Sequence, residues 1–178
     1  VHVLSVRNEC KELLFVVERE ADGREPLVRC INFGLDGIQS FSFTLEEERS
    51  AVLVPAGQVG TYLYEPNASV LKAGAFKQIA VRTGVKKLQV NSHLYTADHL
   101  VSDFPGRRFR VDEVLSFTGK LCKGLSKTIP QANITVRNFP LSVEELRKRT
   151  KITDGGHVYL FATTLVDGEK VLVKCSKA

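Results

Sequence analysis

The 178-residue sequence predicts an α+β chain of two small units, an antiparallel strand unit followed by an α+β unit. Three observations carry this expectation. Strand-like runs separated by Asp-Gly pairs fill the first sixty residues, and the rear segment alternates strand and helix patterns in the order βαβαββ. The composition, 43% hydrophobic and 25% charged, is ordinary for a globular protein large enough to bury a core. The expected boundaries are 1–60 for the first unit, 61–103 for a connecting helix and linker, and 104–178 for the second unit.

In the first unit, "LLFVVERE" and "LVRCINF" read as strands because they are rich in β-branched and aromatic residues. They flank Asp22-Gly23, and "LVRCINF" and "IQSFSFT" flank Asp36-Gly37. Asp-Gly between such runs is a hairpin signal, since both residues tolerate positive φ. "NECKEL" reads as a helical turn before the first strand, and "LEEERS" as a short exposed helix. The middle segment opens with "YEPNASVLKAGAFKQ". Asn67 is placed to cap a helix of about four turns that Gly84 would end. Leu71, Ala75 and Ile79 would share one face, with Phe76 and Ala80 beside them and Lys77 and Arg82 toward solvent.

The rear unit has clearer signals. "RFRVDEVLSF" is a strand. "TGKLCKGLSKTIP" is a helix capped by Thr118 and stopped by Pro130, with Leu121, Cys122, Leu125 and Ile129 at helical spacing. "QANITVRNF" is the next strand. In "PLSVEELRKRTK", Ser142 and Glu145 form a capping box, with Leu141 and Leu146 as its hydrophobic staple. "HVYLFATTLV" and "EKVLVKC" close as a hairpin across Asp167-Gly168.

Motifs for self-contained chemistry are missing. Neither G-x-G-x-x-G nor G-x-x-x-x-G-K-[ST] occurs, and one glycine in "KAGAFK" does not build a phosphate nest. "YEPN" reverses the order of the Asn/Asp-Pro-Pro-aromatic loop of amino-group methyltransferases and lacks its second proline, so a catalytic loop is not expected there. His93, Asp98 and His99 in "SHLYTADH" match no standard ligand spacing, and no metal is expected. Cys10, Cys30, Cys122 and Cys175 are scattered, which reads as buried free thiols in a reducing cytosol. No apolar run reaches bilayer length and nothing resembles a leader, so a cytoplasmic protein without membrane contact is expected. The absence of methionine, with Val1 first, is read as a piece of something longer.

Charge divides the chain. Residues 1–71 hold 6 basic and 11 acidic residues, a net of −5, whereas residues 72–178 hold 19 basic and 9 acidic, a net of +10. A basic rear half could meet a polyanion. Lys120, Lys123 and Lys127 fall on one face of the first rear helix, opposite its apolar stripe. Arg147, Lys148, Arg149 and Lys151 crowd the end of the second, and Arg107, Arg108 and Arg110 sit before and in a strand of the same unit. Two readings stand for these groups: contact with RNA phosphates, or solvated faces and cations complementing a helix C-terminus.

Several stretches carry a family likeness. "FRVDEVLSF", "KLCKGLSK", "ITVRNFPLSVEELRKR" and the terminal hairpin together resemble the THUMP-like domain at the end of a family of bacterial S-adenosylmethionine-dependent methyltransferases of class I. "YEPNASVLKAGAF" is similar to the segment preceding that domain. "LSVRNECKELLF" is similar to the ferredoxin-like module that follows the catalytic domain in Bacteroidetes-type members. The resemblance implies a ferredoxin-like module at 1–60, a THUMP-like domain at 104–178, and an upstream catalytic domain that binds S-adenosylmethionine and is absent here. It implies RNA, tRNA or rRNA, as partner, through kinship to THUMP RNA-binding domains, and no cofactor in this chain itself. Relatives carry Lys-Arg-Gly after the second strand where this chain has "RNF", so only Arg137 carries over as a contact. Glu65, Pro66, Asn67, Lys72, Ala73 and Gly74 mark the family motif and a joint between modules. There Ala73, Gly74 and Ala75 would let another backbone approach closely, and Glu65 and Lys72 would face the catalytic domain or its RNA.

Two functional readings follow. In the first, the chain is the accessory, substrate-recognition region of an RNA methyltransferase and is not itself catalytic. In the second, it is a structural module that packs on the catalytic domain or dimerises without binding nucleic acid.

Overall fold

A computed structural model of the chain describes residues 1–19 and 23–178. By Cα proximity it falls into two units that interleave along the sequence. The first comprises Val1–Val54, Glu65–Val85 and Val101–Arg107; the second comprises Pro55–Tyr64, Lys86–Leu100 and Arg108–Ala178. The expected division at 1–60, 61–103 and 104–178 cuts the chain sequentially instead.

The first unit is built on β1 (His2–Val6), β2 (Glu9–Leu14), β3 (Leu27–Gly34) and β4 (Gly37–Thr44), in the order β2-β1-β3-β4. β1 and β2 form a hairpin across Arg7 and Asn8, both at positive φ (50° and 63°), the backbone that a two-residue hairpin loop requires. "NECKEL" is thus strand rather than the expected helical turn, and Phe15, Val16 and Val17 lie beyond the strand's end with 67–88% of their surface exposed. Asp22 lies outside the described residues. The strands flanking that position do not pair with each other, because β3 runs parallel to β1 and antiparallel to β4. The Asp36-Gly37 hairpin between β3 and β4 forms as expected.

The helix α1 (Leu45–Ser50) buries none of its residues and starts at a capping box, Thr44 with Glu47. It caps another element. The Glu48 carboxylate accepts hydrogen bonds from the backbone N–H groups of Lys77 and Gln78 (2.8–3.1 Å), at the start of α3 (Gln78–Thr83). A negative side chain there satisfies otherwise orphaned amides and opposes the positive helix end. Lys77, expected toward solvent, is accordingly half-buried. Arg82 holds the far end of α3, donating to Glu47 (2.8 Å) and lying 5.4 Å over the Phe41 ring.

The expected four-turn helix is two helices. α2 (Ala68–Ala73) ends where Gly74 adopts φ 79°, and α3 follows after a turn and ends at Gly84, φ 72°. A left-handed residue turns the next N–H away from the helical ladder, so the helix breaks at the one position where that backbone costs little. A Cβ added at Gly74 would meet nothing within 4 Å. Gly74 therefore supplies a left-handed backbone in surroundings that this chain leaves open.

The second unit holds most of a seven-stranded sheet. Its strands are β5 (Tyr62–Pro66), β6 (Lys86–Lys87), β7 (Tyr95–Ala97), β8 (Gly106–Ser116), β9 (Asn133–Arg137), β10 (Tyr159–Thr164) and β11 (Lys170–Lys177), in the order β6-β7-β5-β8-β11-β10-β9. β5, β6 and β7 lie in the stretch read as connecting helix and linker. The helices α4 (Gly119–Thr128) and α5 (Val143–Thr150) complete the expected βαβαββ order. Thr118 caps α4, the Ser142–Glu145 box caps α5, and β10 and β11 form the terminal hairpin.

Two cores flank this sheet. On one side Leu63, Leu88, Leu94, Phe109, Phe161 and Val173 pack together, with Phe109 4.9 Å from both Tyr159 and Phe161. On the other, Leu125 and Ile129 from the α4 side and the staple pair Leu141 and Leu146 meet Leu160, Ala162 and Leu172. Alternation along each strand delivers odd and even residues to opposite faces. That places both helices on one face. Cys30, Cys122 and Cys175 are buried free thiols, but Cys10 is only half-buried. Burial pushes the Cys30 and Cys175 thiols up to about 12, with the Asp112 carboxylate adding to the effect at Cys175. Among the described residues no helix is long and apolar enough to cross a membrane, which says nothing of strands.

Candidate nucleic-acid interface

The amphipathic pattern of α4 sets out its surface. With Cys122 and Leu125 buried, Lys120, Lys123 and Lys127 share the opposite, exposed side. α5 lies beside it on the same sheet face and exposes Lys148 and Arg149, followed by Lys151 at the αL C-cap position, φ 62°. Among the described residues no ion pair engages Lys120, Lys123, Lys127, Lys148 or Lys151. α4 itself contains no acid. The nearest carboxylate in the α5 sequence, Glu145, is occupied as a cap: the Ser142 N–H donates to it at 2.8 Å, and that bond first, with Arg149 and Lys148 adding, holds its carboxyl below the usual range. The structure thus assembles six cations into one helical layer.

The other predicted contacts are placed elsewhere. Arg107 forms an ion pair with Glu65, its Nε donating at 2.8 Å, and Glu65 is 2% exposed. Arg107 is therefore a counter-ion to Glu65, which is buried and not presented at the surface. Arg147 braces the turn after α5, donating to the carbonyls of Ile152 (3.3 Å) and Ala132 (3.2 Å) and pairing with Asp154. Like Arg107, it is engaged within the chain. Ile134 and Val136 of β9 face the helices, so alternation turns Arg137 to the opposite face. There its charge, after burial and Lys87, helps depress His93 to about 4. Arg108 and Arg110 lie on the face of β8 opposite buried Phe109, with Arg110 exposed.

The family-motif stretch forms a buried polar knot. Asn67 caps α2, its Oδ1 accepting from the Val70 N–H (3.1 Å) and the Ser69 hydroxyl (2.7 Å). Its Nδ2 donates to Gln39 Oε1 (3.1 Å), and Gln39 in turn accepts from Asn32, which accepts from Ser5. Gly106 permits the strand to pass: a Cβ there would sit 2.1 Å from the Glu65 carbonyl oxygen and 2.8 Å from Pro66 Cα. Lys72 is exposed and Ala73 half-buried. Glu65, Asn67 and Gly74 thus serve the chain's own architecture. His93, Asp98 and His99 do not converge, and among the described residues no group of three or more His, Cys, Asp or Glu could hold a metal.

The helical layer also holds a feature absent from the sequence expectations. Phe117 precedes the α4 cap, and Cys122 occupies the fourth helical position, the pair of places where a hydrophobic staple forms. Together with Gly119, Lys123 and Arg149 they line a cavity of about 200 Å³. The staple spacing is readable in the sequence. The neighbouring Arg149 is not, because it comes from the other helix.

Known proteins share this architecture. Residues 62–105 match a ferredoxin-like domain, and residues 106–177 match a domain described as THUMP domain-like. The ferredoxin-like description thus attaches to 62–105, where the sequence reading attached it to 1–60. No curated protein matches the chain significantly. A solved crystal structure from Porphyromonas gingivalis W83, described as a "putative methyltransferase", is 44% identical, with a TM-score of 0.91 over 99% of this chain. The match covers 45% of that structure's chain, so the present chain spans under half of its relative's length. The chain is therefore a mixed α+β protein in which a ferredoxin-like segment is followed by a THUMP-like domain.

Proposed function

We propose that this chain is the substrate-recognition region of an S-adenosylmethionine-dependent RNA methyltransferase, and that the α4–α5 layer holds RNA phosphates. The observation that carries the reading is the cationic layer itself, Lys120, Lys123, Lys127, Lys148, Arg149 and Lys151, standing on a THUMP-like domain without an acid in α4. Counter-ion release from such a layer favours binding to a polyanion whatever its sequence. The kinship to THUMP domains points to RNA, and the 44% identical relative points to methyl transfer.

The residues present do not fit the cofactor. There is no glycine-rich strand-to-helix turn, and the cavity lined by Phe117, Gly119, Cys122, Lys123 and Arg149 offers no carboxylate to receive ribose hydroxyls. Methyl transfer belongs to polypeptide outside this chain, and binding and orienting RNA is what this chain's residues can do. Fluorescence anisotropy of the 178-residue chain with bulk tRNA, across a salt series, tests the reading. We expect binding that weakens linearly in log K against log salt; a salt-insensitive or absent interaction overturns it.

A further inference from the structure

The cavity on the helical layer differs from a plain phosphate site. Its floor is apolar, formed by half-buried Phe117 and the buried Cys122, while Lys123 and Arg149 are exposed at its edge. Phe117 meets Phe139 in a T-shaped contact (4.9 Å, 78°), which holds the Phe117 ring in one orientation. A Cβ on Gly119 would meet nothing within 4 Å, so the opening is unobstructed on that side. At about 200 Å³ the cavity is smaller than the roughly 300–1,000 Å³ that drug-sized ligands occupy, a size suited to one planar ring system. No carboxylate lines it, and Arg149 lies close enough for its charge to act on the Cys122 thiol. A phosphate alone would have no use for the aromatic floor, and a neutral apolar ligand none for the two cations.

We propose that this cavity receives one unpaired nucleotide of the bound RNA, its base against Phe117 and its phosphate on Lys123 and Arg149. The inference rests on the RNA reading above and adds a preference for single-stranded nucleotides, since only an unstacked base can present its face to a side chain.

The test uses the 178-residue chain and three fluorescein-labelled probes: a blunt RNA hairpin, the same hairpin with a single-stranded extension, and that extension made abasic. The wild type should bind the base-bearing extension about tenfold more tightly than the abasic one, the scale of one base–aromatic stack. Phe117→Leu, which keeps an apolar side chain, and Gly119→Leu, which places a bulky side chain at the opening where a Cβ meets nothing, should each abolish that tenfold preference. Both should retain the wild-type salt slope and a folded far-ultraviolet circular-dichroism spectrum at the assay temperature. If the wild type shows no preference, or if both variants retain it, the cavity does not take a base, although a surviving salt slope would leave the RNA reading standing. If no probe binds in a salt-dependent way, the RNA reading falls and the cavity assignment with it.

Discussion

Glu65 is a carboxylate in the interior whose charge is matched by the Arg107 guanidinium. Removing one member of such a pair takes from a buried charge its ion-pair partner, which costs more than the pair itself contributes. Because the Arg107 side chain is 42% exposed, water can replace part of the missing interaction. We expect Arg107→Ala to destabilise the chain by about 2 kcal/mol in urea unfolding. An unchanged midpoint would mean that Glu65 is not buried as described. His93 provides a pH signature. Burial, then Lys87 and Arg137, hold its imidazole at about 4, below its ordinary value of 6.5. The native state therefore keeps His93 neutral where the unfolded chain takes up a proton. Its contribution is complete above pH 6.5 and disappears as pH falls from there toward 4, by about 1 kcal/mol once solvent screening of this half-exposed ring is allowed for. Urea midpoints of wild type and His93→Gln between pH 7 and 4 should converge as the pH falls, and parallel curves would contradict the assignment.

At the scale of elements, glycine performs two different jobs in this chain. Gly74 supplies a left-handed backbone in open surroundings, so Gly74→Ala should cost about 1 kcal/mol of conformational strain and nothing in packing. Gly106 supplies room against the Glu65 carbonyl, and Gly106→Ala should cost several-fold more, because the added atom meets backbone. Equal thermal shifts for the two variants would refute this distinction. The same contrast explains what could be read from sequence. Caps and hairpins are local chemistry, so Thr118, Ser142 with Glu145, Asn67 and Asp36-Gly37 announce their elements correctly. The break at Gly74 is hidden because an alanine-rich flank makes one glycine look tolerable within a continuous helix. The pairing of β1 with β3 is hidden because a parallel partner lies more than twenty residues away and leaves no turn signal. β6 and β7, two and three residues long, are too short for any alternation to show. The candidate site is half legible: helical spacing reveals the lysine face of α4, but only tertiary contacts show that Arg107 and Arg147 are committed to Glu65 and Asp154.

For the whole molecule, the charge division of the sequence acquires a structural meaning. Three acids of the first half are used internally, Glu47 and Glu48 on α3 and Glu65 on Arg107. Six cations of the second half, Lys120, Lys123, Lys127, Lys148, Arg149 and Lys151, are instead left at the surface of one helical layer. A merely solvated lysine face would give no preference for where positive charge sits, whereas a phosphate-binding layer depends on location. Two triple variants with the same net charge separate these cases: Lys120→Glu/Lys123→Glu/Lys127→Glu on α4, and Arg29→Glu/Lys86→Glu/Lys177→Glu, exposed positions outside α4 and α5. The direct test is the salt dependence of tRNA binding for both. Each phosphate that the protein no longer neutralises should reduce the slope of log K against log salt by roughly 0.7–0.9. The α4 triple should therefore drop by about two units of slope and more than tenfold in affinity, while the dispersed triple keeps the wild-type slope. Equal reductions in the two variants would contradict the account, because binding would then follow net charge and not the α4–α5 layer.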